Sequence, residues 1–180
     1  MISVEVIDLI NTLFSLGAIV LQLFVVLILA VLFSKKEHKF IQIIQKRALL
    51  LSFLLALTAT VGSLVYSEIA GYEPCSLCWY QRIFLYPQVI LLGMALMKND
   101  DSLLKSSLVF SLIGGIIAIY HTLLQFSGSL LPCPAGGVSC AQRLFIKFGY
   151  LTIPTLSLTI FAALVVLLLL QKKERKEILA

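Results

Sequence analysis

Long stretches without a charged side chain constrain this chain more than any other feature of its sequence. Four of them contain 20 to 26 residues, enough for a helix to cross the roughly 30 Å hydrocarbon core of a bilayer. These four stretches are 9–34, 48–67, 106–126 and 148–171. A fifth, 83–97, has only 15 residues, and it spans only if its helix begins in the interfacial layer around Trp79. The sequence therefore predicts five transmembrane helices, near residues 9–33, 48–67, 79–97, 107–126 and 150–170.

The composition agrees with a small integral membrane protein. Of the 180 residues, 60% are hydrophobic and 13% are charged, whereas a soluble domain is about 45–50% apolar and about 25% charged. These values exclude intrinsic disorder, a nucleic-acid-binding domain and almost any water-soluble fold. The first stretch is not a cleaved signal peptide, because it follows Glu5 and Asp8 instead of basic residues and is far longer than an h-region. The predicted fold class is an all-α transmembrane bundle.

The distribution of basic residues predicts the orientation of the bundle. Eleven Lys and Arg residues lie in the link after the first helix, the link after the third helix and the C-terminal tail. The opposite side contains only Arg82, Arg143 and Lys147, together with four acidic residues. Because cytoplasmic loops carry the excess of Lys and Arg, we expect the N-terminus outside and the C-terminus in the cytoplasm. This topology explains the net charge of +5 without a nucleic-acid partner.

Small residues mark one face of the fourth predicted helix. Gly114, Ala118 and Thr122 recur every four positions, so they lie on one side of a helix. Small residues let helix backbones approach closely in lipid. We therefore predict that this face packs against another helix.

All four cysteines fall on the extracytoplasmic side of the predicted topology. Cys75 and Cys78 form a Cys-x-x-Cys before the third helix, and Cys133 and Cys140 lie in the loop before the fifth. Disulfides persist outside the cytosol, so this placement fits two redox-active pairs. Two structural disulfides and a four-cysteine zinc site are the alternatives, although the Cys133-x₆-Cys140 spacing is a poor second half of a zinc site.

The surroundings of Cys78 favour redox chemistry. A Cys-x-x-Cys at a helix N-terminus exposes one sulfur to unpaired N–H groups and the positive end of the dipole, which favours the nucleophilic thiolate. Arg82 projects from the same helical face four residues later and can stabilise a thiolate or an oxyanion, unless it only snorkels to lipid headgroups. His121, the only histidine in a predicted span, is another functional candidate. Its alternative is a neutral imidazole that is hydrogen-bonded between helices.

Four segments together resemble the DsbB/BdbC family of bacterial membrane proteins for disulfide-bond formation. They are Tyr-Ser-Glu at 66–68, Pro-Cys-Ser-Leu-Cys-Trp-Tyr-Gln-Arg at 74–82, Tyr-His-Thr-Leu-Leu-Gln at 120–125 and Phe-Gly-Tyr-Leu-Thr-Ile-Pro at 148–154. The likeness runs from about Lys46 to Leu170, and the Cys-x-x-Cys-Trp-Tyr-Gln-Arg string is highly specific. It implies a four-helix redox bundle at 47–171 in the bacterial cell membrane. An additional helix and basic link at 1–46 precede that bundle, and a basic tail at 172–180 follows it.

The resemblance implies an oxidoreductase that reoxidises an extracytoplasmic thioredoxin-like thiol oxidase and passes the electrons to a membrane quinone. Carried over by position, a Cys133–Cys140 disulfide is attacked by the reduced partner at Cys133. Cys140 then exchanges with a Cys75–Cys78 disulfide at Cys75. Cys78 faces the quinone, which is ubiquinone or menaquinone.

The resemblance also implies cofactor contacts and leaves alternatives open. Arg82 is expected near a quinone oxygen and His121 nearby, and no metal ion is expected. The sequence departs from the family pattern in its additional first helix and in a second cysteine pair that is only seven residues apart. The alternatives are a vitamin-K-epoxide-reductase-like quinone reductase and a non-catalytic membrane scaffold with two structural disulfides.

Overall fold

Five α-helices account for most of the chain. The computed structural model describes residues 4–34, 39–98, 100–127 and 139–179. The helices are α1 (Val4–Phe33), α2 (Lys39–Leu64), α3 (Ser76–Lys98), α4 (Asp101–Ser127) and α5 (Ile153–Leu179). A π-helical turn, Val65–Ile69, continues α2, and these ranges contain no β-strand beyond an isolated bridge between Lys147 and Leu151. The prediction of an all-α fold with five helices is confirmed.

Four helical segments in the described ranges are long and apolar enough to cross a membrane. They are Val4–Phe33, Ile41–Ile69, Asp101–Ser127 and Ile153–Lys172. α3 is not among them, in keeping with the Gln81, Arg82 and Gln88 side chains that dilute its apolar sequence. A fifth span and the orientation of the bundle therefore stay predictions. α2 and α4 begin several residues before the predicted starts at 48 and 107, because an uncharged stretch marks the apolar segment and not the end of the helix.

α2, α3, α4 and α5 form a four-helix bundle. Each packs beside the next, and α5 also packs against α2. Their shared core consists of buried apolar side chains, among them Ala56, Leu92, Ala118, Phe161 and Leu164. α1 lies outside this bundle and packs mainly against α5, with a smaller contact to α2.

Two contacts fix α4 in the bundle. A Cβ atom added to Gly114 would collide with the Phe161 ring of α5, which confirms the predicted close contact on this face of α4. Between α3 and α4, the buried Gln88 Oε1 accepts hydrogen bonds from Ser107 Oγ at 2.8 Å and Ser111 Oγ at 3.0 Å. Buried polar groups need such partners, and these bonds fix the position of α3 against α4.

The Cys-x-x-Cys segment lies where the chain enters α3. The chain leaves the π-helical turn through Gly71, whose φ of 70° is a conformation that glycine adopts without strain. The Trp79 N–H then donates to the Cys75 carbonyl at 3.1 Å, which makes Cys75 the residue that caps α3. The helix begins at Ser76 and not near residue 79 as predicted, so Cys78 lies in its first turn.

Candidate active site

Cys75 and Cys78 face each other at the start of α3. Their Sγ atoms are 3.3 Å apart, and the Cys75 thiol donates a hydrogen bond to Cys78 Sγ. This hydrogen bond and the burial of Cys75 raise the pKa of its thiol from the ordinary value of 9.0 to about 12. Cys75 is therefore protonated at neutral pH. The structure describes both residues as thiols, and the predicted Cys75–Cys78 disulfide stays a prediction.

His121 links α4 to the cysteine pair. Its Nε2 atom lies 3.1 Å from the Cys140 carbonyl oxygen and 3.7 Å from Cys75 Sγ. A carbonyl oxygen can only accept, so Nε2 carries the proton, and Nδ1 accepts from the Gln81 amide at 3.0 Å. His121 is only 2% exposed. The structure thus brings His121 to Cys75 and also shows the interhelical hydrogen bond that was the alternative interpretation.

Cys140 belongs to the same buried region as Cys75. The two cysteines share an apolar cluster with Leu77 and Leu124, and Cys140 is 1% exposed. Cys75, His121 and Cys140 also line a small pocket of about 20 Å³. Cys133, the predicted partner of Cys140, lies outside the described residues, so their pairing stays a prediction.

The segment that follows Cys140 is fixed to the end of α4. The Gln125 side chain donates from Nε2 to the Gln142 carbonyl at 2.9 Å, and Arg143 Nε donates to the Gln125 carbonyl at 3.0 Å. The Arg143 guanidinium also lies 4.9 Å from the centroid of the Phe126 ring. These contacts hold Cys140 beside His121.

Arg82 lies on the other side of the cysteine pair. Its Nη2 atom donates to the Ser63 carbonyl of α2 at 3.1 Å, and its guanidinium carbon lies 5.1 Å from the centroid of the Trp79 ring. Both contacts hold the charged group against the protein. The side chain is half-buried and lines a cavity between the helices, which argues against snorkelling as its whole role.

An apolar cavity of about 320 Å³ opens beside Cys78. Cys78, Gln81 and Arg82 line one end of it. The remaining walls are mostly apolar side chains from α1, α2 and α5, among them Leu13, Leu21, Leu55, Leu156 and Ile160. His121 and Cys75 do not line this cavity, so the structure separates His121 from Arg82, although the sequence placed both near one ligand.

The cluster of donor atoms could also bind a metal ion. Sγ of Cys75, Sγ of Cys78 and a ring nitrogen of His121 lie within 4.8 Å of one another. Thiolate and imidazole are the ligands that zinc prefers. The same three groups are equally able to support thiol–disulfide exchange, because that chemistry needs two adjacent sulfurs and a nearby proton donor.

Comparison with known proteins decides the family. A sequence profile described as disulfide bond formation protein DsbB matches residues 45–171, which include the bundle, all four cysteines, Arg82 and His121. The chain belongs to the DsbB family. The family resemblance noted in the sequence is therefore confirmed, and it supports a thiol–disulfide oxidoreductase role for this multi-pass membrane protein.

Proteins named for disulfide formation are similar to more than two thirds of the chain. Disulfide bond formation protein C of Bacillus subtilis (strain 168) is 42% identical over 130 residues, which are 70% of this chain and 93% of that protein. Probable disulfide formation protein C of Halalkalibacterium halodurans is 43% identical over 127 residues, 69% of this chain and 92% of that protein. A probable disulfide formation protein of Chlamydia caviae is 38% identical over 136 residues, covering 76% and 99%. No solved structure matches the chain.

Sequence reasoning missed two parts of this DsbB-family site. Gln81 holds the His121 ring, and its position three residues after Cys78 on the same helical face was the available signal. α1 contributes a wall of the cavity although it lies outside the matched residues. The spacing of Asn11, Ser15 and Gln22 along one face of α1 was the signal that it packs against the bundle.

Proposed function

We propose that the chain is a quinone-linked thiol–disulfide oxidoreductase that regenerates the disulfide of an extracytoplasmic thioredoxin-like thiol oxidase. The observation that carries the proposal is the position of the cysteine pair between two environments. Cys75 belongs to a buried cluster with Cys140 and does not line the large cavity. Cys78 packs against that cluster and also lines the apolar cavity of about 320 Å³. A pair in this position can take electrons from one side and deliver them to the other.

Electrons enter through Cys133 and Cys140. A thiolate of the reduced partner attacks Sγ of Cys133 and breaks the Cys133–Cys140 bond, and the partner's second thiol then displaces Cys133. The partner leaves as a disulfide, and Cys133 and Cys140 are left as two thiols. The partner has lost two electrons, which the second cysteine pair now holds.

The electrons then pass to Cys75 and Cys78. The Cys140 thiolate attacks Sγ of Cys75 and breaks the Cys75–Cys78 bond, which releases Cys78 as a thiolate. Cys133 attacks Cys140 in the mixed disulfide, restores the Cys133–Cys140 bond and releases Cys75. The burial of Cys75 with Cys140 supports this order of exchange.

His121 acts on Cys75 in this scheme. Its Nε2 atom lies 3.7 Å from Cys75 Sγ. The Nε2–H, which donates to the Cys140 carbonyl at 3.1 Å, can be shared with Cys75 Sγ and stabilise the negative charge on that sulfur when it leaves the mixed disulfide. Gln81 accounts for the tautomer, because its amide occupies Nδ1 and leaves the proton on Nε2. His121 is therefore a positioning and proton-holding residue for the exchange and not a wall of the cavity.

The residues of the cavity fit a quinone. The apolar walls suit the ring and its isoprenoid tail, and Arg82 offers donors to a ring oxygen. Tyr66 also lines the cavity and is 7% exposed, and its hydroxyl has no hydrogen-bond partner within the described ranges. When bound, a quinone supplies an acceptor for two electrons and two protons. Cys78 presents its sulfur to that acceptor, and Cys75 closes the Cys75–Cys78 disulfide as the pair is oxidised.

The same proposal fixes the orientation in the membrane. We place both cysteine pairs on the extracytoplasmic side of the bacterial cell membrane, with α3 as the fifth span. The support for this orientation is the excess of eleven basic residues on the opposite side. It puts the sulfurs in reach of a secreted partner and leaves the cavity open to a lipid-soluble quinone.

The proposal is tested by following the redox state of the cysteines in membranes. Mass-shift alkylation should find all four thiols reduced when respiratory quinone is depleted and reducing partner is present, and oxidised again after quinone is added. The Ser76→Ala variant, which changes the motif without touching a sulfur, serves as the control and should behave like the unmodified chain. Cysteines that stay oxidised both without and with quinone would instead form structural disulfides.

A metal site is the second candidate, because three donor atoms lie within 4.8 Å of one another. A structural zinc ion would hold Cys75 and Cys78 as thiolates and prevent their oxidation. Metal analysis of the purified protein separates the two candidates. Stoichiometric zinc that is lost in His121→Ala would favour the metal site over the oxidoreductase.

A further inference from the structure

α1 lies outside the part of the chain that matches the DsbB family, which begins at residue 45. A helix that served only as an anchor would need nothing from the bundle beyond apolar contact. α1 instead turns its polar residues toward the protein, since Asn11 is 4% exposed and Ser15 is fully buried. Val20 and Leu23 on its other side are largely exposed.

Polar contacts fix α1 to the bundle at two levels. Asn11 Nδ2 donates to the hydroxyl of Tyr72 at 3.1 Å, in the loop that leads to the Cys-x-x-Cys. About three turns further along, Gln22 donates from Nε2 to Thr159 Oγ1 at 2.8 Å, and its Oε1 accepts from the Tyr150 hydroxyl at 2.6 Å. The helix is therefore held in one position and one rotation beside the cavity.

Between these two levels, Phe14 packs tightly against α2. A Cβ atom added to Gly62 would lie 2.9 Å from the Phe14 ring, so the contact depends on a glycine at that position. The Phe14 ring also lies 5.3 Å from the ring of Tyr66, centroid to centroid, and Tyr66 stacks on Tyr72 at 5.8 Å. α1 thus continues the aromatic cluster that borders the cavity.

The face of α1 between these contacts forms one wall of the cavity. The wall consists of Leu13, Phe14, Gly17, Ala18 and Leu21, and Cys78 and Arg82 line the same cavity. At Gly17, an added Cβ atom would meet nothing within 4 Å. The open space in the wall is therefore next to Gly17, and a larger side chain there would occupy part of the cavity.

We propose that α1 is a specificity-determining wall of the quinone cavity, which selects the hydrophobic acceptor that fits beside Cys78. This inference rests on the quinone-linked function proposed above. Leu13, Gly17 and Leu21 contact the apolar part of the acceptor, while Arg82 and Cys78 contact its polar part. Because α1 supplies this wall, the shape of the cavity depends on a segment outside the matched family region.

The test fills the open space and measures quinone binding directly. Gly17→Phe places a ring in the cavity. It should not unfold α1, because glycine is less favourable than phenylalanine in the interior of a helix. A short-chain ubiquinone and a short-chain menaquinone analogue are titrated into the full chain in detergent. The readout is quenching of the fluorescence of Trp79, the only tryptophan, whose ring contacts Arg82.

We expect Gly17→Phe to raise the Kd of both quinones about tenfold or more and to raise the KM for quinone. The rate at which a dithiol reduces the Cys133–Cys140 pair should not change. Ala30→Phe is the matched control, because Ala30 is exposed on the same helix and does not line the cavity. Its Kd should equal that of the unmodified chain.

The outcomes separate this inference from the function on which it rests. If the unmodified chain binds and reduces quinone and Gly17→Phe does so with the same Kd and KM, α1 is not a wall of the binding site. If the unmodified chain does not bind quinone, the proposed function fails first. Leu21→Ala shortens a side chain of the same wall and so enlarges the cavity. We expect this second variant to change the ratio of the Kd for ubiquinone to the Kd for menaquinone. An unchanged ratio contradicts the proposal.

Discussion

The two regions on either side of the Cys-x-x-Cys differ sharply, and of the two sulfurs, which are 3.3 Å apart, only that of Cys78 borders both regions. On the Cys75 side, His121 and Cys140 line a pocket of only about 20 Å³ that Cys78 also borders, and hydrogen bonds to the Gln81 amide and the Cys140 carbonyl hold the His121 ring. On the Cys78 side, an apolar cavity of about 320 Å³ is bordered by Arg82 and by α1.

Under the proposed function, this difference gives each sulfur a different task. A tightly packed, hydrogen-bonded region suits exchange between sulfurs, which requires a fixed approach of one to the other. A roomy apolar cavity suits a lipid-soluble ligand, because such a site buries apolar surface and needs few polar contacts. Under the proposed function the site is a junction between two chemistries, and variants on one side should leave the other side intact.

The largest expected effect comes from the sulfurs themselves. Cys75→Ser and Cys78→Ser should each abolish quinone reduction, because neither variant can form the disulfide that delivers two electrons. The Cys133–Cys140 pair should still oxidise one equivalent of partner dithiol in both. Quinone absorbance and mass-shift alkylation measure the two steps separately, and full turnover by either variant would exclude the mechanism.

The next effect concerns the pH dependence of Cys75 alkylation in the reduced protein. The thiolate is the reactive form, and the pKa of about 12 leaves less thiolate at every pH below that value. Alkylation of Cys75 at pH 7 should therefore be about a hundredfold or more slower than that of an ordinary thiol. It should rise only as the pH approaches 12, as followed by mass spectrometry.

Removing the hydrogen-bond acceptor provides the control for that effect. Cys78→Ala deletes the sulfur whose hydrogen bond is the largest cause of the raised Cys75 pKa. The rise in Cys75 alkylation should then shift to lower pH. A rise near pH 9 in the unmodified chain would show that Cys78 does not hold the Cys75 proton.

Substitutions of two arginines should have smaller effects and should distinguish the Cys78 side of the site from the Cys75 side. Arg82 and Arg143 each donate to a backbone carbonyl and each lie over an aromatic ring, but only Arg82 lines the large cavity. Arg82→Ala should raise the KM for quinone by about 10- to 100-fold, as expected for loss of a charged hydrogen bond. Arg143→Ala should leave that KM unchanged and slow the oxidation of partner thiols. Steady-state kinetics with each substrate varied in turn checks both expectations. If Arg82→Ala and Arg143→Ala have the same KM for quinone, Arg82 does not belong to the quinone site.

Local sequence signals were sufficient for the existence of the helices, and they singled out Cys75, His121 and Cys140, which the structure brings together. Uncharged stretches predicted all five helices, because burial of backbone polar groups in lipid leaves a helix as the only open-ended solution. The starts of α2 and α4 were wrong, since their first turns carry charged residues beyond the apolar segment. The start of α3 was also wrong: the motif was predicted to lie just before a helix that begins near residue 79, whereas α3 begins at Ser76 and includes Cys78.

The arrangement around those residues could not be predicted from local sequence. His121 is 46 positions from Cys75, and no periodicity indicates which face of α4 meets the start of α3. The separation of Arg82 from His121 depends on the packing of three helices. The role of α1 was also missed, because its hydrophobicity obscured the buried face that contains Asn11 and Ser15.

The smallest expected effect comes from two glutamines, one on each side of the junction. Gln125 holds the segment after Cys140 through one hydrogen bond to the Gln142 carbonyl, and the loss of one such bond costs about 0.5–1.5 kcal/mol. Gln125→Leu should therefore slow sulfur exchange about 2- to 10-fold, by the same energy scale, and leave the quinone Kd unchanged. Gln22→Leu removes the hydrogen bonds that hold α1. It should raise the quinone Kd and leave the rate of sulfur exchange unchanged. Stopped-flow oxidation of a partner dithiol and fluorescence titration of quinone measure the two effects. If each variant changes both the rate of sulfur exchange and the quinone Kd, the two sides of the cysteine pair are structurally coupled, because a displacement on either side is then transmitted to the other through the start of α3.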